Sequence, residues 1–172
     1  RRKMANEVAY NHRWLRILLS GKPHFVIGSK ENPYLLRWFL IPRNRFLNVY
    51  LHKFMRSDED RALHDHPWWF VSLLLRGAYD EVTPEGVKRR EAFSLAYRPA
   101  SWRHRVRLLR ESLFDDGYIR IFAETPCWTI IVTGSKVRNW GFWCPKGFVP
   151  WEQFTSTVNG SSDVSQGCGE FE

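Results

Sequence analysis

The sequence predicts an all-β domain, an antiparallel sandwich or barrel, preceded by one short helix. Short stretches of strand length follow one another closely between residues 34 and 144, and Gly, Pro and Asp residues separate them. The chain has no internal repeat of fixed period. At 172 residues it is long enough for one domain with a substantial core, and its nine tryptophans supply large side chains for that core or for a pocket.

The first element is predicted to be an amphipathic helix between Asn6 and Leu19. Its apolar residues recur at helical spacing, and Gly21 and Pro23 end it. Such a helix either covers one side of the domain or forms an interface. We assign residues 1–33 to this helix and its lead-in.

The strands follow as a series. They are predicted at 34–41, 46–55, 64–76, 79–83, 87–97, 103–110, 118–124, 127–133 and 137–144. We therefore assign residues 34–155 to the barrel. From about Ser156 the residues become small and polar, which predicts a flexible C-terminal tail over 156–172.

Charge and cysteine content limit the partners and the compartment. The net charge is +8, but the basic residues are dispersed through the chain, so nucleic acid is the less favoured partner. No apolar run of membrane-spanning length occurs, so no membrane segment is expected. Cys127, Cys144 and Cys168 have no paired spacing, which favours free thiols and a cytoplasmic location.

The most informative motif is His64-Asp65-His66, followed about forty residues later by His104. Histidines at i and i+2 of a strand share one face, about 6.5–7 Å apart. A third imidazole from a neighbouring strand could complete one side of a transition-metal site, since imidazole binds zinc, iron, copper and nickel. The alternative is that these are ordinary polar residues at a strand end.

The residues around His104 favour the metal site. In the segment 103–108, His104, Val106 and Leu108 alternate with three arginines, so His104 is expected to face inward. A buried histidine needs a hydrogen-bond partner, a charge partner or a metal. On the other strand, His64 and His66 share a face that continues into aromatic residues. Asp65 lies on the opposite face and is expected to be structural.

A substrate pocket is expected beside these histidines. Trp68 and Phe70 continue the face of His66, and Tyr50 and His52 lie on the preceding strand, where they either line the pocket or face solvent. The sequence identifies no catalytic acid or base.

These motifs resemble those of the cupins, which are small jelly-roll barrels. Cupins carry an HxH motif followed by an acid and a glycine, and a second motif of the form PxGxxH. Here His64-Asp65-His66 with Gly77 downstream resembles the first motif, and the segment 99–104 from Pro99 to His104 resembles the second. The resemblance implies a jelly-roll barrel and a divalent metal held by His64, His66 and His104. Cupins often form dimers, so a homodimer is expected.

The departures from the family pattern narrow the expectation. The acid of the first motif would fall near Phe70, where no acid occurs, and Ser101 replaces the glycine of the second. A site of three histidines resembles the thiol dioxygenases, such as cysteine dioxygenase, which use iron(II). Trp102 and Val106 replace the serine and tyrosine that those enzymes place around the third histidine, which argues against a thiol substrate. The HDHPW segment, 64–68, also resembles that of uncharacterised cupin-like proteins of bacteria and phages.

The resulting hypothesis is a metal-dependent cupin enzyme, a non-haem iron dioxygenase acting on a small molecule. Iron(II) is the favoured metal, and zinc or nickel would suit the same ligands. The alternative is a cupin that binds a metal or small ligand without turnover, or one that uses a basic strand face formed by Arg103, Arg105 and Arg107 to bind an acidic partner.

Overall fold

The computed structural model describes residues 13–29, 31–58, 62–115, 117–156 and 166–169. Helix α1 covers residues 13–19 of this part, and the predicted start of the helix at Asn6 lies outside the described residues. The helix ends as expected. Gly21 has a φ of 73°, and its amide donates to the Leu18 carbonyl. The residue that ends a helix in the left-handed conformation is usually glycine, since glycine has no Cβ to strain there.

The remainder is almost entirely strand. The elements are β1 (Phe25–Gly28), β2 (Pro33–Phe39), β3 (Asn48–Phe54), β4 (Leu63–His64), β5 (Phe70–Arg76), β6 (Ala78–Thr83), β7 (Gly86–Glu91), β8 (Leu95–Arg98), β9 (Arg105–Leu108), β10 (Arg110–Asp115), β11 (Arg120–Glu124), β12 (Cys127–Thr133), β13 (Gly141–Cys144), β14 (Gly147–Pro150) and the short helix α2 (Trp151–Phe154). All strand pairs are antiparallel. The all-β prediction is confirmed.

One wall of the barrel is a continuous six-stranded sheet. Its strand order is β1-β2-β3-β12-β5-β8. Alternate residues of its strands face the interior, so that Arg37 of β2, His52 of β3 and Thr129 of β12 lie side by side in one row. His52 and Thr129 are both buried. The inner face of this sheet therefore carries a row of polar side chains rather than apolar ones.

The opposite wall is interrupted. It consists of two three-stranded pieces, β7-β6-β9 and β14-β13-β4, and an isolated bridge between His64 and His104 joins them. The two walls form the double-stranded β-helix, or jelly roll, that the sequence motifs imply. Strands β10 and β11 form a separate hairpin.

The main difference from the predicted strands lies in the segment 64–76. It is divided into β4 and β5, and residues 65–69 are irregular. Pro67 has no amide hydrogen to give to a ladder, which accounts for the break in this stretch. The predicted strand 87–97 is also divided, because the chain turns at Phe93, which has a φ of 67°.

Three strands escaped prediction: β1, β14 and, apart from its first residue, β10. Strands β1 and β14 have four residues each, too few to show an alternating pattern. Because β1 pairs with β2, the sheet begins at Phe25, earlier than the predicted barrel boundary at residue 34.

The glycine of the first motif has a clear role in the barrel. Gly77 joins β5 to β6 with a φ of 87°, and a Cβ added there would lie 2.9 Å from the Cβ of Cys127. Glycine is therefore needed both for the turn and for the close approach of β12. Cys127 is fully buried in a cluster with Leu74 and Val106, as expected of a small apolar residue.

The expectation of three free thiols is wrong for two of the cysteines. Cys144 and Cys168 form a disulfide with a Cα–Cα distance of 5.6 Å. The partners are 24 residues apart, so no short motif announced them. The described part of the predicted tail, residues 166–169, is thereby attached to β13; residues 157–165 and 170–172 lie outside the described residues. Among the described helices, none is long and apolar enough to cross a membrane.

Candidate metal centre

The bridge between the two pieces of the interrupted wall brings the histidines together. The amides of His64 and His104 each donate to the other residue's carbonyl at 2.9 Å. His66 follows in the irregular segment after β4, and its amide donates to the Ala100 carbonyl. The ring centroids of the three histidines lie 5.0–5.2 Å apart. The structure therefore unites the three residues that the sequence predicted as ligands.

The nitrogen positions fit a divalent transition metal. One ring nitrogen from each histidine lies within 4.8 Å of the others. The Nε2 atoms of His66 and His104 are 2.9 Å apart. Two nitrogens at this separation are both within reach of one ion at about 2.1 Å, the usual length of a metal–imidazole bond. Neutral imidazole nitrogens are ligands that iron, zinc and nickel accept.

The protonation states suit metal binding. Burial lowers the pKa of His64 well below its usual value, and the neighbouring His104 lowers it further. Burial likewise lowers the pKa of His66, and the positive charge that His64 and His104 would carry adds to the effect. Both rings are therefore neutral at physiological pH, so their lone pairs are available to a cation.

Glu81 orients the third histidine from behind. This residue of β6 is 1% exposed, and its Oε1 lies 3.0 Å from Nδ1 of His104. It also accepts hydrogen bonds from Arg98 Nε at 2.7 Å, Arg90 Nε at 2.9 Å and Trp102 Nε1 at 3.1 Å. Burial alone would raise the pKa of Glu81, but the hydrogen bonds from His104 and Arg98 outweigh it and hold that pKa well below its usual range.

An ionised Glu81 fixes the tautomer of His104. With the proton on Nδ1 facing the carboxylate, the lone pair lies on Nε2, which faces His66. Carboxylate–histidine pairs of this kind are typical partners of protein-bound metals. The sequence motif lacks its usual acid, and Glu81 supplies a carboxylate behind a ligand rather than on the metal.

A second carboxylate, Asp58, lies beside His64. Its Oδ2 is 3.8 Å from Nδ1 of His64 and accepts a hydrogen bond from the Val106 amide at 2.5 Å. The Tyr34 hydroxyl donates to the other oxygen. Burial raises the pKa of Asp58 to about 6. This carboxyl group is therefore poised to hold or release a proton near neutral pH.

Asp65 is structural, as its position between two histidines predicts. It is fully buried, and its oxygens accept hydrogen bonds from the Gly141 amide and Trp143 Nε1, both at 3.0 Å. Arg138 Nη1 lies 2.8 Å from Oδ2. These contacts hold the HxH segment against β13.

A cavity of about 450 Å³ opens beside His64 and His104. Its walls are mostly apolar and aromatic, with a few polar groups, which is the usual composition of a small-molecule site. The lining residues that bear on the chemistry are Tyr34, Arg37, His52, Asp58, Trp68 and Trp140.

Of the four predicted pocket residues, two line the cavity and two pack behind its rings. His52 and Trp68 line the cavity. Tyr50 stacks on His52 with ring centroids 5.7 Å apart, and Phe70 packs on His66 at 4.6 Å. Tyr50 and Phe70 therefore support the rings of the site from behind rather than line the cavity.

Arg37 is the main cavity residue that sequence reasoning missed. Its Nε donates to His52 Nε2 at 2.8 Å, and its guanidinium lies 4.9 Å from the Tyr50 ring centroid. Burial lowers its pKa, and in the described part of the chain no carboxylate lies within ion-pair distance of it. Burial also lowers the pKa of His52, so the imidazole accepts as a neutral ring.

The signals for the missed residues were present but weak. Arg37 interrupts the apolar run 34–41, and Glu81 shares the inward face of β6 with Tyr79. A charged residue on a buried face needs a partner. Sequence alone does not say which residue that partner is.

No protein-family model and no curated protein matches the chain. Several solved structures are similar. A cupin superfamily protein from Desulfitobacterium hafniense is 13% identical over 64% of this chain and 84% of its own, with a TM-score of 0.44. An uncharacterised protein with a double-stranded β-helix domain from Klebsiella pneumoniae is 15% identical over 69% of this chain and 90% of its own, with a TM-score of 0.44.

A DMSP lyase from Ruegeria pomeroyi is 13% identical over 65% of this chain and 52% of its own, with a TM-score of 0.46. Likenesses at this level carry nothing about activity. The resemblance to the cupins rests instead on the chain's own sheet topology and histidine cluster, and at that level it is confirmed.

Proposed function

We propose that the protein is a metal-dependent enzyme, a non-haem iron dioxygenase that acts on a small molecule at the three-histidine site. The observation that carries the proposal is the cluster of His64, His66 and His104 beside a cavity of about 450 Å³. Iron(II) held by neutral imidazoles retains its charge and open positions, so that it would bring substrate and dioxygen together.

The surrounding residues have distinct roles in this proposal. Glu81 keeps His104 in the tautomer that binds the metal, and Asp58 holds or releases a proton beside His64. The aromatic walls, including Trp68 and Trp140, exclude water from the cavity. No group other than Asp58 and Tyr34 combines a titratable oxygen with a place on the described cavity wall.

The substrate in this proposal carries a negative group. Arg37 faces the cavity, and its guanidinium has no acidic neighbour within the described residues. An uncompensated guanidinium in a largely apolar site favours a carboxylate or a similar oxyanion, which it can bind through two parallel hydrogen bonds. The other end of the ligand would then face the histidines.

The first experiment measures metal content. Protein purified without oxygen and loaded with iron(II) is expected to hold one equivalent, and His104→Ala is expected to lose it. His24→Gln is the matched control, because the described contacts of His24 lie with Trp14 and Phe39, outside the cluster. Equal metal content in the two variants would contradict the site.

The second experiment measures dioxygen consumption by the iron-loaded protein against a panel of small carboxylates. Uptake that depends on both iron and one panel member supports the dioxygenase. Stoichiometric metal without uptake for any member would favour the alternative, a cupin that binds metal or ligand without turnover. The homodimer and the cytoplasmic location stay predictions, and the Cys144–Cys168 disulfide removes the argument from free thiols for the second of them.

A further inference from the structure

A second cleft lies on the outer side of Asp58, between the segment 56–58 and strands β9 and β10. Its volume is about 690 Å³. Its walls are strongly polar. The charged residues that line it are Arg56, Asp58, Asp80, Arg105, Arg107, Arg110 and Glu124.

The acidic groups of this cleft are already engaged. Both oxygens of Glu124 accept from Ser57, one from the amide at 2.8 Å and one from the hydroxyl at 2.6 Å. Asp80 lies between Arg89 at 2.5 Å and Arg107 at 3.1 Å. The Asp58 oxygens accept from Tyr34 and from the Val106 amide.

Three arginines of the cleft form no close ion pair, although the charge of Arg105 still acts to lower the pKa of Asp58. In the part of the chain that the structure describes, no carboxylate lies within 4.0 Å of the guanidinium of Arg56, Arg105 or Arg110, although Arg56 lies 5.7 Å from the Tyr34 ring. Like charges that line one concave surface repel one another and favour an anion between them. The basic strand face of the sequence hypothesis is thus only partly available, because Asp80 neutralises Arg107.

We propose that this outer cleft binds the phosphate group of a small molecule. It shares Arg56 and Asp58 with the cavity of the metal centre, but Arg105 of β9 and Arg110 of β10 line the outer cleft alone, so binding there does not need the metal. Guanidinium groups match phosphate oxygens in geometry, and a multiply charged phosphate can accept from several of them at once. A small ligand is favoured over nucleic acid because the arginines that carry the proposal lie within one cleft of about 690 Å³, whereas a long polyanion is held by basic groups spread along an extended surface.

The test is calorimetric titration with pyrophosphate. Wild-type protein is expected to bind one equivalent. Replacement of two arginines that line only this cleft, Arg105→Gln with Arg110→Gln, is expected to weaken binding at least tenfold. Arg76→Gln is the matched control, because Arg76 is exposed, has the same charge and does not line the cleft. Its affinity should equal that of the wild type. Each variant is checked for an unchanged unfolding midpoint.

Two further titrations complete the test. His104→Ala should bind pyrophosphate as the wild type does, so failure of the metal centre would leave this proposal standing. Equal weakening by the double variant and by Arg76→Gln, or no binding of pyrophosphate at all, would overturn the proposal. A single-stranded oligonucleotide that binds far more tightly than pyrophosphate, with a steep dependence on salt, would replace it with a nucleic-acid surface.

Discussion

Two arginines lie near opposite ends of the six-stranded sheet, and they differ in their partners. Arg98, on the edge strand β8, donates to both oxygens of the buried Glu81. Arg37, on β2, donates to the neutral ring of His52 and meets no carboxylate in the described residues. The first arginine is neutralised by the fold. The second retains its charge for a ligand, so charge balance separates a structural arginine from a binding one.

The largest expected effect is on stability, and it is found when Arg98 and Arg37 are each replaced by methionine and the two losses are compared. Arg98→Met removes two charge-assisted hydrogen bonds from the buried Glu81, which keeps Arg90 as a partner, and is expected to lower the free energy of unfolding by about 3–5 kcal/mol. Arg37→Met removes no ion pair and is expected to cost about 1 kcal/mol, the value of its hydrogen bond. Urea unfolding of the two variants measures both. Equal losses of stability in the two variants would contradict the distinction between a structural arginine and a binding one.

The disulfide tests whether the β14-β13-β4 piece of the interrupted wall is independent of the Arg98–Glu81 contact. Replacing Cys144 and Cys168 by serine is expected to lower stability by about 3 kcal/mol, since the bond closes a loop of 24 residues. Because the bond lies at β13, away from the strands that carry the arginines, its effect should add to that of Arg98→Met. Unfolding of the combined variant measures this. A sum that falls short by more than about 0.5 kcal/mol would show that the disulfide-bearing piece is coupled to the Arg98–Glu81 contact.

Acid titration sharpens the contrast between the charged arginine and its neutral neighbour. The pKa of His52 is lowered in the folded state, so the unfolded chain binds its proton first as the pH falls below about 6.5. Its contribution to stability is present above that pH and is lost below it. His64 and His66 act in the same direction in metal-free protein. Asp58 opposes them between about pH 4 and 6, because its folded pKa is raised to about 6.

The measurement compares wild-type protein with His52→Gln, whose amide oxygen can still accept from Arg37. Below pH 6.5 the variant should lose about 1.4 kcal/mol less stability per pH unit than the wild type. Urea unfolding at several pH values gives both slopes. Parallel slopes would mean that the His52 ring is already protonated in the folded state.

The smallest expected effect is on ligand affinity. In metal-loaded protein, Arg37→Met is expected to weaken the binding of succinate about tenfold, which corresponds to about 1.4 kcal/mol. Arg45→Met is the control, because Arg45 is exposed and rests on Phe46 outside the cavity. Titration calorimetry of both variants checks this. If Arg37→Met binds succinate as tightly as Arg45→Met does, Arg37 has no part in holding an anion.

The strand pattern predicted an all-β sandwich or barrel, and local alternation predicted that His104 faces inward. The jelly roll and the set of three histidine ligands were implied by the resemblance of the two histidine motifs to those of the cupins. His104 beside Val106 needed only a period of two, and the structure buries both. Glu81 and Arg98 could not be paired from sequence, because their contact crosses from one wall to the other. The Cys144–Cys168 disulfide was not predicted for a similar reason, since its partners are 24 residues apart and no short motif links them.

The single bridge between His64 and His104 has a consequence for how the barrel responds to its ligand. The amides of His64 and His104 form the isolated strand bridge between the two pieces of that wall in the described chain, and the ring nitrogens of the metal cluster lie on both sides of it. An ion bound there would cross-link the two pieces of the wall through their histidine side chains. Hydrogen–deuterium exchange of those two amides would then report whether the metal is bound: slow exchange in metal-bound protein and fast exchange in metal-free protein.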